Sequence, residues 1–257
     1  IIKNNRELSD KYKNFKKNKI KILSNITVNP IKDILEYCLR NENIPVDVIF
    51  GGFDTIIQDT RNYTEENAII IFYEIINLVN GFSYKIDLMS EREYKDILEK
   101  TKQNILQILE NLKKCPLILF NTFSSLPVTY LNIEKKRIDN FCDLLNNYLY
   151  SIKNNYSNLK IIDIEKIYLN VSLSKAIDWR FYYSVFSLYT IDFYINYSEY
   201  IKQLFLLNNG IIKKLIIVDC DNTLWYGILD EIGYKNIEIK SDSYKGRIYQ
   251  EVRAILK

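Results

Sequence analysis

Two carboxylates, Asp219 and Asp221, stand two residues apart directly after the apolar run Leu215-Ile216-Ile217-Val218, and Asn222, Thr223, Leu224 and Trp225 follow. Carboxylate oxygens at this spacing can grip a hard cation such as Mg²⁺. One of them can attack a phosphoryl group while the other moves protons. An Asp-x-Asp pair alone means little, because Asp and Asn are ordinary turn residues. The setting makes it more specific. The run reads as a short buried strand, and its uniform apolarity suggests a parallel sheet covered on both faces. In such sheets the loop after a strand's carboxyl end is where ligands bind.

Composition narrows the chemistry further. The 257 residues contain no histidine, which excludes Ser-His-Asp and Cys-His mechanisms within this chain. Cys38, Cys115, Cys142 and Cys220 lie far apart without C-x-x-C spacing, which argues against zinc and for a reduced, cytoplasmic setting. With 47% hydrophobic and 26% charged residues the chain has the makeup of a soluble globular protein. A net charge of +3 is too small to argue for nucleic acid or membrane as partner. The basic run Lys11–Lys19 reads as a solvated lead-in segment. The longest apolar stretch, Ile69 to Val79, is interrupted by Glu74 and Asn77 and is too short for a membrane span. No signal peptide is read at the start. A first residue other than Met, and an end inside a helical pattern, read as a portion of a longer protein.

The elements that must position the acids alternate along the chain. Leu8, Tyr12 and Phe15 mark a lead-in helix in residues 1–19. Apolar runs predict strands at Ile20–Leu23, Val46–Phe50, Ala68–Tyr73, Pro116–Phe120 and Leu159–Ile162. Gly51-Gly52 is read as a turn allowing close backbone approach. Between the strands, Pro30 opens a helix whose buried stripe is Ile31, Ile34, Leu35, Cys38 and Leu39. A long helix spans Ser90 to Lys113, with Ser90 and Glu93 forming a capping box, and another spans Ile133 to Lys153. Strands alternating with helices predict βαβ units, a parallel sheet and a three-layer α/β fold. The aromatic-rich stretch Trp179–Tyr200 is expected to pack against the sheet and between domains. A helix from Tyr197 to Leu207 then leads across Gly210, a suitable C-cap.

The full pattern Asp219-Cys220-Asp221-Asn222-Thr223-Leu224-Trp225-Tyr226-Gly227-Ile228-Leu229 resembles the first motif of the haloacid dehalogenase (HAD) superfamily, and within it the FkbH-like branch. Asp230-Glu231-Ile232-Gly233 and Ile237-Glu238-Ile239 fit that branch's turn after the motif, and Gly246 to Leu256 looks like its first helix. Upstream, Ile22 to Pro30 and Asp178 to Tyr183 resemble the N-terminal domain that accompanies it.

The resemblance implies an SGNH/flavodoxin-like three-layer αβα domain over residues 20–210. The start of a Rossmann-like HAD domain would follow over 211–257. Ser24 falls where an SGNH hydrolase carries its nucleophile, and Asp178 falls near the Asp-x-x-His motif, with Phe181 in place of the histidine. The domain is therefore expected to bind or dock rather than hydrolyse, with Ser24 as an N-cap or turn residue. The resemblance makes Asp219 the nucleophile and Asp221 the acid/base, both also ligands to Mg²⁺. Asn222, Thr223 and Trp225 fall on the substrate side. Thr223 supports the loop, and Trp225 either walls the site or packs. Side-chain alternation would point Cys220 into the core rather than toward an acyl group.

FkbH-like proteins load a glyceryl unit from a phosphorylated three-carbon acid onto an acyl carrier protein in polyketide biosynthesis. The resemblance therefore implies a phosphorylated small-molecule substrate and a carrier partner. The family's later motifs do not follow in residues 219–257, so the chain by itself is expected to be inactive. The other class left open is a non-catalytic α/β module docking a carrier protein or biosynthetic partner.

Overall fold

The structure, a computed structural model, describes every residue except 130, 212–214, 238–242 and 257. The described chain divides into two compact units, Ile1–Asn209 and Gly210–Lys257.

In the first unit five strands form one all-parallel sheet: β1 (Asn18–Ser24), β2 (Val46–Phe53), β3 (Ala68–Phe72), β4 (Ile118–Asn121) and β5 (Leu159–Ile162). Their order is β2-β1-β3-β4-β5, the flavodoxin-like arrangement. Ile22 pairs with both Phe50 and Ile70, and Leu119 with both Ile70 and Lys160, which fixes the register across the sheet. All five residues of β3 are buried, as a central strand covered on both faces requires. Two groups of helices supply the cover. One comprises α1 (Ile2–Lys11), α2 (Ile31–Asn41), the helix Ile164–Val171 and the helix Ile191–Asn208. The other comprises α3 (Ile56–Arg61), the helix Glu91–Asn111 and the helix Arg137–Ile152. The predicted three-layer αβα fold is what the chain adopts.

Local chemistry explains most boundaries. The α2 stripe predicted from spacing is buried in full. Ser90 caps Glu93, and the Glu93 carboxylate accepts from the Ser90 amide at 2.8 Å, closing the predicted capping box. The helix expected from Ile133 starts instead at Arg137, because Asp139 accepts the Lys136 amide at 2.6 Å and fixes the first turn there. The turn expected at Gly51-Gly52 is the end of β2. The Gly52 amide donates to Asp59 at 2.9 Å, and a Cβ on Gly51 would stand 2.4 Å from the same carboxylate and 2.7 Å from Leu23. The close approach was real, but it serves packing of α3 on the strand. The aromatic stretch does pack on the sheet: Tyr197 lies 4.9 Å from Phe72 of β3, and Tyr189 stacks on Phe193 at 3.8 Å.

Edge strand β2 is tied to the first helical group by a buried polar cluster. Glu36 and Arg40 pair at 3.1 Å, both almost wholly buried. Glu36 accepts the Val48 amide at 3.0 Å, and Arg40 donates to the Val46 carbonyl at 2.8 Å. Asn5 joins α1 to the pair, accepting from Arg40 at 2.7 Å.

In the second unit the buried strand expected after residue 214 does not form in the described residues. Leu215, Ile216 and Ile217 are 69–88% exposed, and none is in a ladder. A strand needs partners for its backbone groups, and the described part of this unit offers no strand to pair with. Lys214, Glu238 and Ile239, read as parts of the run and of the later turn, lie outside the described residues. The helix predicted over Gly246–Leu256 is present as Tyr244–Ile255, capped by Ser243. No helix among the described residues is long and apolar enough to cross a membrane.

Removing Arg40 alone, as Arg40→Leu, takes the buried cation from the Glu36 carboxylate, leaving the half-exposed Lys32 at 3.9 Å as its ion partner, and is expected to cost about 3 kcal/mol in urea denaturation. Changing Glu36 to Leu in addition should recover much of that loss.

Candidate functional site

The Asp219 loop is built almost entirely by side chains bonding to nearby backbone. The Cys220 carbonyl accepts the Thr223 and Leu224 amides at 3.2 and 2.8 Å, closing a tight turn. Asn222 sits in left-handed backbone, φ 54°, which Asn tolerates better than most residues. Its side chain accepts the Gly227 amide at 2.9 Å. Gly227 has φ 109°, and a Cβ there would stand 2.2 Å from Ile232. Asp221 Oδ1 takes the Trp225 indole at 3.0 Å and the Leu229 amide at 3.2 Å. Lys245 lies over the Tyr226 ring at 3.7 Å, tying the loop to the helix Tyr244–Ile255.

This arrangement separates the two acids. Asp221, half-buried, anchors the loop through one oxygen. Asp219 is exposed and takes no hydrogen bond from any described residue. Trp225 is half-buried, its indole held on Asp221. Asn222 and Thr223 are spent on the turn. Cys220, expected in the core, is exposed. The alternation that would have buried it belongs to an extended segment, and here the chain turns at that residue.

The donor set fits Mg²⁺ in kind: hard carboxylate oxygens on an open loop, with Asp219 and one Asp221 oxygen unengaged. Among the described residues no third acid, cysteine or histidine joins them. Mg²⁺ tolerates so small a set, since it keeps several waters and takes substrate phosphate oxygens.

In the first unit the strand order reverses between β1 and β3, where open α/β sheets bind ligands. The residues there are engaged with one another. Ser24 Oγ donates to the Ile26 carbonyl at 2.7 Å and accepts the Ile26 amide at 3.0 Å, so Ser24 is a turn residue and not a helix cap. Asp178 caps the helix Trp179–Val185, and the Arg180 guanidinium beside it holds its carboxyl down at about 2. Thr27 ties this helix over the Ser24 turn, donating from its amide to Phe186 at 2.9 Å and from its hydroxyl to Val185 at 2.7 Å.

Composition gave no notice of Glu74 in this crevice. It stands two residues after the end of β3, is buried, and accepts from the Tyr189 hydroxyl at 2.6 Å. Tyr189 in turn lies 3.2 Å from the Tyr168 hydroxyl. Asn25 clasps the Glu74 backbone, accepting its amide at 2.7 Å and donating to its carbonyl at 2.8 Å. An acid straight after an apolar run marks Asp219 in the sequence, and Glu74, straight after Ala68–Tyr73, carries the same mark. Burial without a cation raises the Glu74 carboxyl from its ordinary 4.5 to about 7, with the Tyr189 hydrogen bond opposing the rise.

With this geometry in view, the comparisons add the fold. No protein-family model matches the chain, and no curated protein matches it. Among solved structures it is similar to the N-terminal part of the protein BF1531 from Bacteroides fragilis, described as containing a phosphatase domain and complexed with Mg. The TM-score is 0.71 at 16% identity, over 98% of this chain and 69% of that one. At that identity the likeness establishes a shared α/β fold.

Because folding raises the Glu74 pKa, its contribution to stability is full below pH 4.5 and is lost as pH rises through about 7. Thermal unfolding should therefore show a fall on the order of 3 kcal/mol across that window from this group. Glu74→Gln should remove that slope, leaving the stability curve flatter.

Proposed function

We propose that the chain carries the first catalytic motif of a Mg²⁺-dependent HAD-type phosphatase or transferase of the FkbH-like kind. The carrying observation is the division of labour in the loop: Asp221, Asn222 and Gly227 fix it, and Asp219 is left exposed with no partner among the described residues. The motif pattern supports the reading, as does a shared fold with a protein whose description names a phosphatase domain and Mg.

In this reading Asp219 and Asp221 would hold Mg²⁺, which would supply charge neutralisation between a carboxylate and an anionic phosphoryl group. The Asp219 carboxylate attacks phosphorus in line as the bond to the leaving oxygen breaks. Asp221 delivers a proton to that oxygen and later takes one from the attacking water. Trp225, held on Asp221, shields one side of the pair, and Asn222 and Thr223 hold the turn on which the substrate rests. The finer form of the proposal takes a phosphorylated three-carbon acid as substrate. As an acyl phosphate, that substrate would have a second fate in place of Asp219 attack: the thiolate of an acyl carrier protein attacks the acyl carbon, the C–O bond breaks, and inorganic phosphate departs at the Asp219 loop as the glyceryl-type unit forms the thioester. The second reading, a non-catalytic module docking a carrier protein, draws on one observation: Ser24 and Asp178 of the first unit are both consumed by structural bonds.

The test is Asp219→Asn in the longest available form of the protein, with phosphate release followed from small acyl and sugar phosphates in Mg²⁺. Loss of at least about 100-fold in rate, with unchanged folding, is expected for a nucleophile. Release at an undiminished rate would sink the enzymatic reading and leave the docking module.

A further inference from the structure

The first unit holds a groove of about 530 Å³ at the carboxyl ends of β2 and β3. Its wall is a continuous strip of rings. Trp179 meets Tyr182 at 5.4 Å and Tyr183 at 5.8 Å, Tyr182 meets Phe186 at 6.0 Å, and Phe186 meets Phe53 at 5.6 Å. The loop after β3, including Tyr84, completes the lining. Its size is that of a small-molecule site, and it adjoins the crevice where such folds bind ligands.

Among the described residues Asp54 is the one charged member of the lining. It follows the last residue of β2 in left-handed backbone, φ 56°, and its amide is held by the Ser24 carbonyl at 3.1 Å. Among the described residues nothing hydrogen-bonds or pairs with its carboxylate. Although the residue as a whole is exposed, the surrounding walls desolvate its carboxyl enough to raise its pKa above the usual carboxylate range. Lys85 lies outside the lining. Its ammonium is engaged with the Asn80 carbonyl at 2.6 Å and stands 6.0 Å from the Tyr84 ring. Asp178 and Arg180 neutralise each other nearby on the helix.

This combination discriminates between ligand classes. An anion, phosphate included, would meet an unneutralised carboxylate and no basic side chain. A neutral apolar ligand would bury the carboxylate further and offer it no partner, which costs free energy. A cation with an apolar body answers both features, since ring faces attract positive charge and the carboxylate supplies the counter-charge. We propose that this groove binds a small organic cation, an ammonium group on an apolar frame, with Asp54 as its counter-ion and the Trp179–Tyr183 rings as its wall. The proposal does not rest on phosphoryl chemistry at Asp219, and the two can fail separately.

The experiment is isothermal titration calorimetry on the whole chain with choline and with its neutral isostere, in which carbon replaces the quaternary nitrogen. Choline should bind about tenfold tighter than the isostere, and Asp54→Asn should abolish most of that difference. Asn accepts left-handed backbone as Asp does, so this variant removes the charge and not the fold. Trp179→Leu should weaken choline binding in parallel, with its far-ultraviolet circular dichroism unchanged. Equal affinity for the two compounds, absence of choline binding, or full cation preference in the Asp54→Asn chain would each overturn the proposal.

Discussion

The carboxyl end of the sheet depends on one side chain. Strands β1 and β3 are neighbours, but the connections leaving them diverge, which opens a crevice and leaves polar backbone groups facing it. Asn25 fills the gap by accepting the Glu74 amide and donating to the Glu74 carbonyl, while its own carbonyl takes the Asn77 side chain. A buried amide with these bonds made is stable, and the same amide with one missing is costly. The Ser24 turn, the Asp54 amide on the Ser24 carbonyl and the Thr27 tie to Phe186 are all built from the same short stretch.

That closure decides what the crevice can do. Ser24 is bonded within its own turn, and Asp178 is locked by Arg180. The chain has no histidine to take a proton from the Ser24 hydroxyl, and that hydroxyl is committed to the Ile26 carbonyl. The carboxyl end carries a buried carboxylate, Glu74, linked to two tyrosines, and beside it an aromatic groove with Asp54 in its lining. What the crevice can do is set by these side chains and not by the scaffold that carries them.

The Asp219 loop follows another logic. Its bonds join residues at most eight positions apart, so the turn is specified by local sequence. Asn222 in left-handed backbone and Gly227 against Ile232 are conditions a short stretch can satisfy by itself. Among the described residues, long-range packing contributes only the contact of Lys245 and Tyr249 with Tyr226.

Sequence alone determined the features with local or periodic causes. These are the apolar runs that became β1 to β5, the α2 stripe, the Ser90–Glu93 capping box and the Asp219 motif with its turn residues. Elements whose boundary rests on a distant partner came out differently. β2 runs through two glycines because Asp59 and Leu23 receive them, and residues 215–218 stay out of any described ladder because a strand requires neighbours. Only the tertiary structure decided the strand order and the meeting of Asn25 with Glu74 across 49 residues. It alone assembled the aromatic groove from β2, the loop after β3 and the helix Trp179–Val185. Spacing along a chain encodes which face a side chain takes, but not which distant face it will meet.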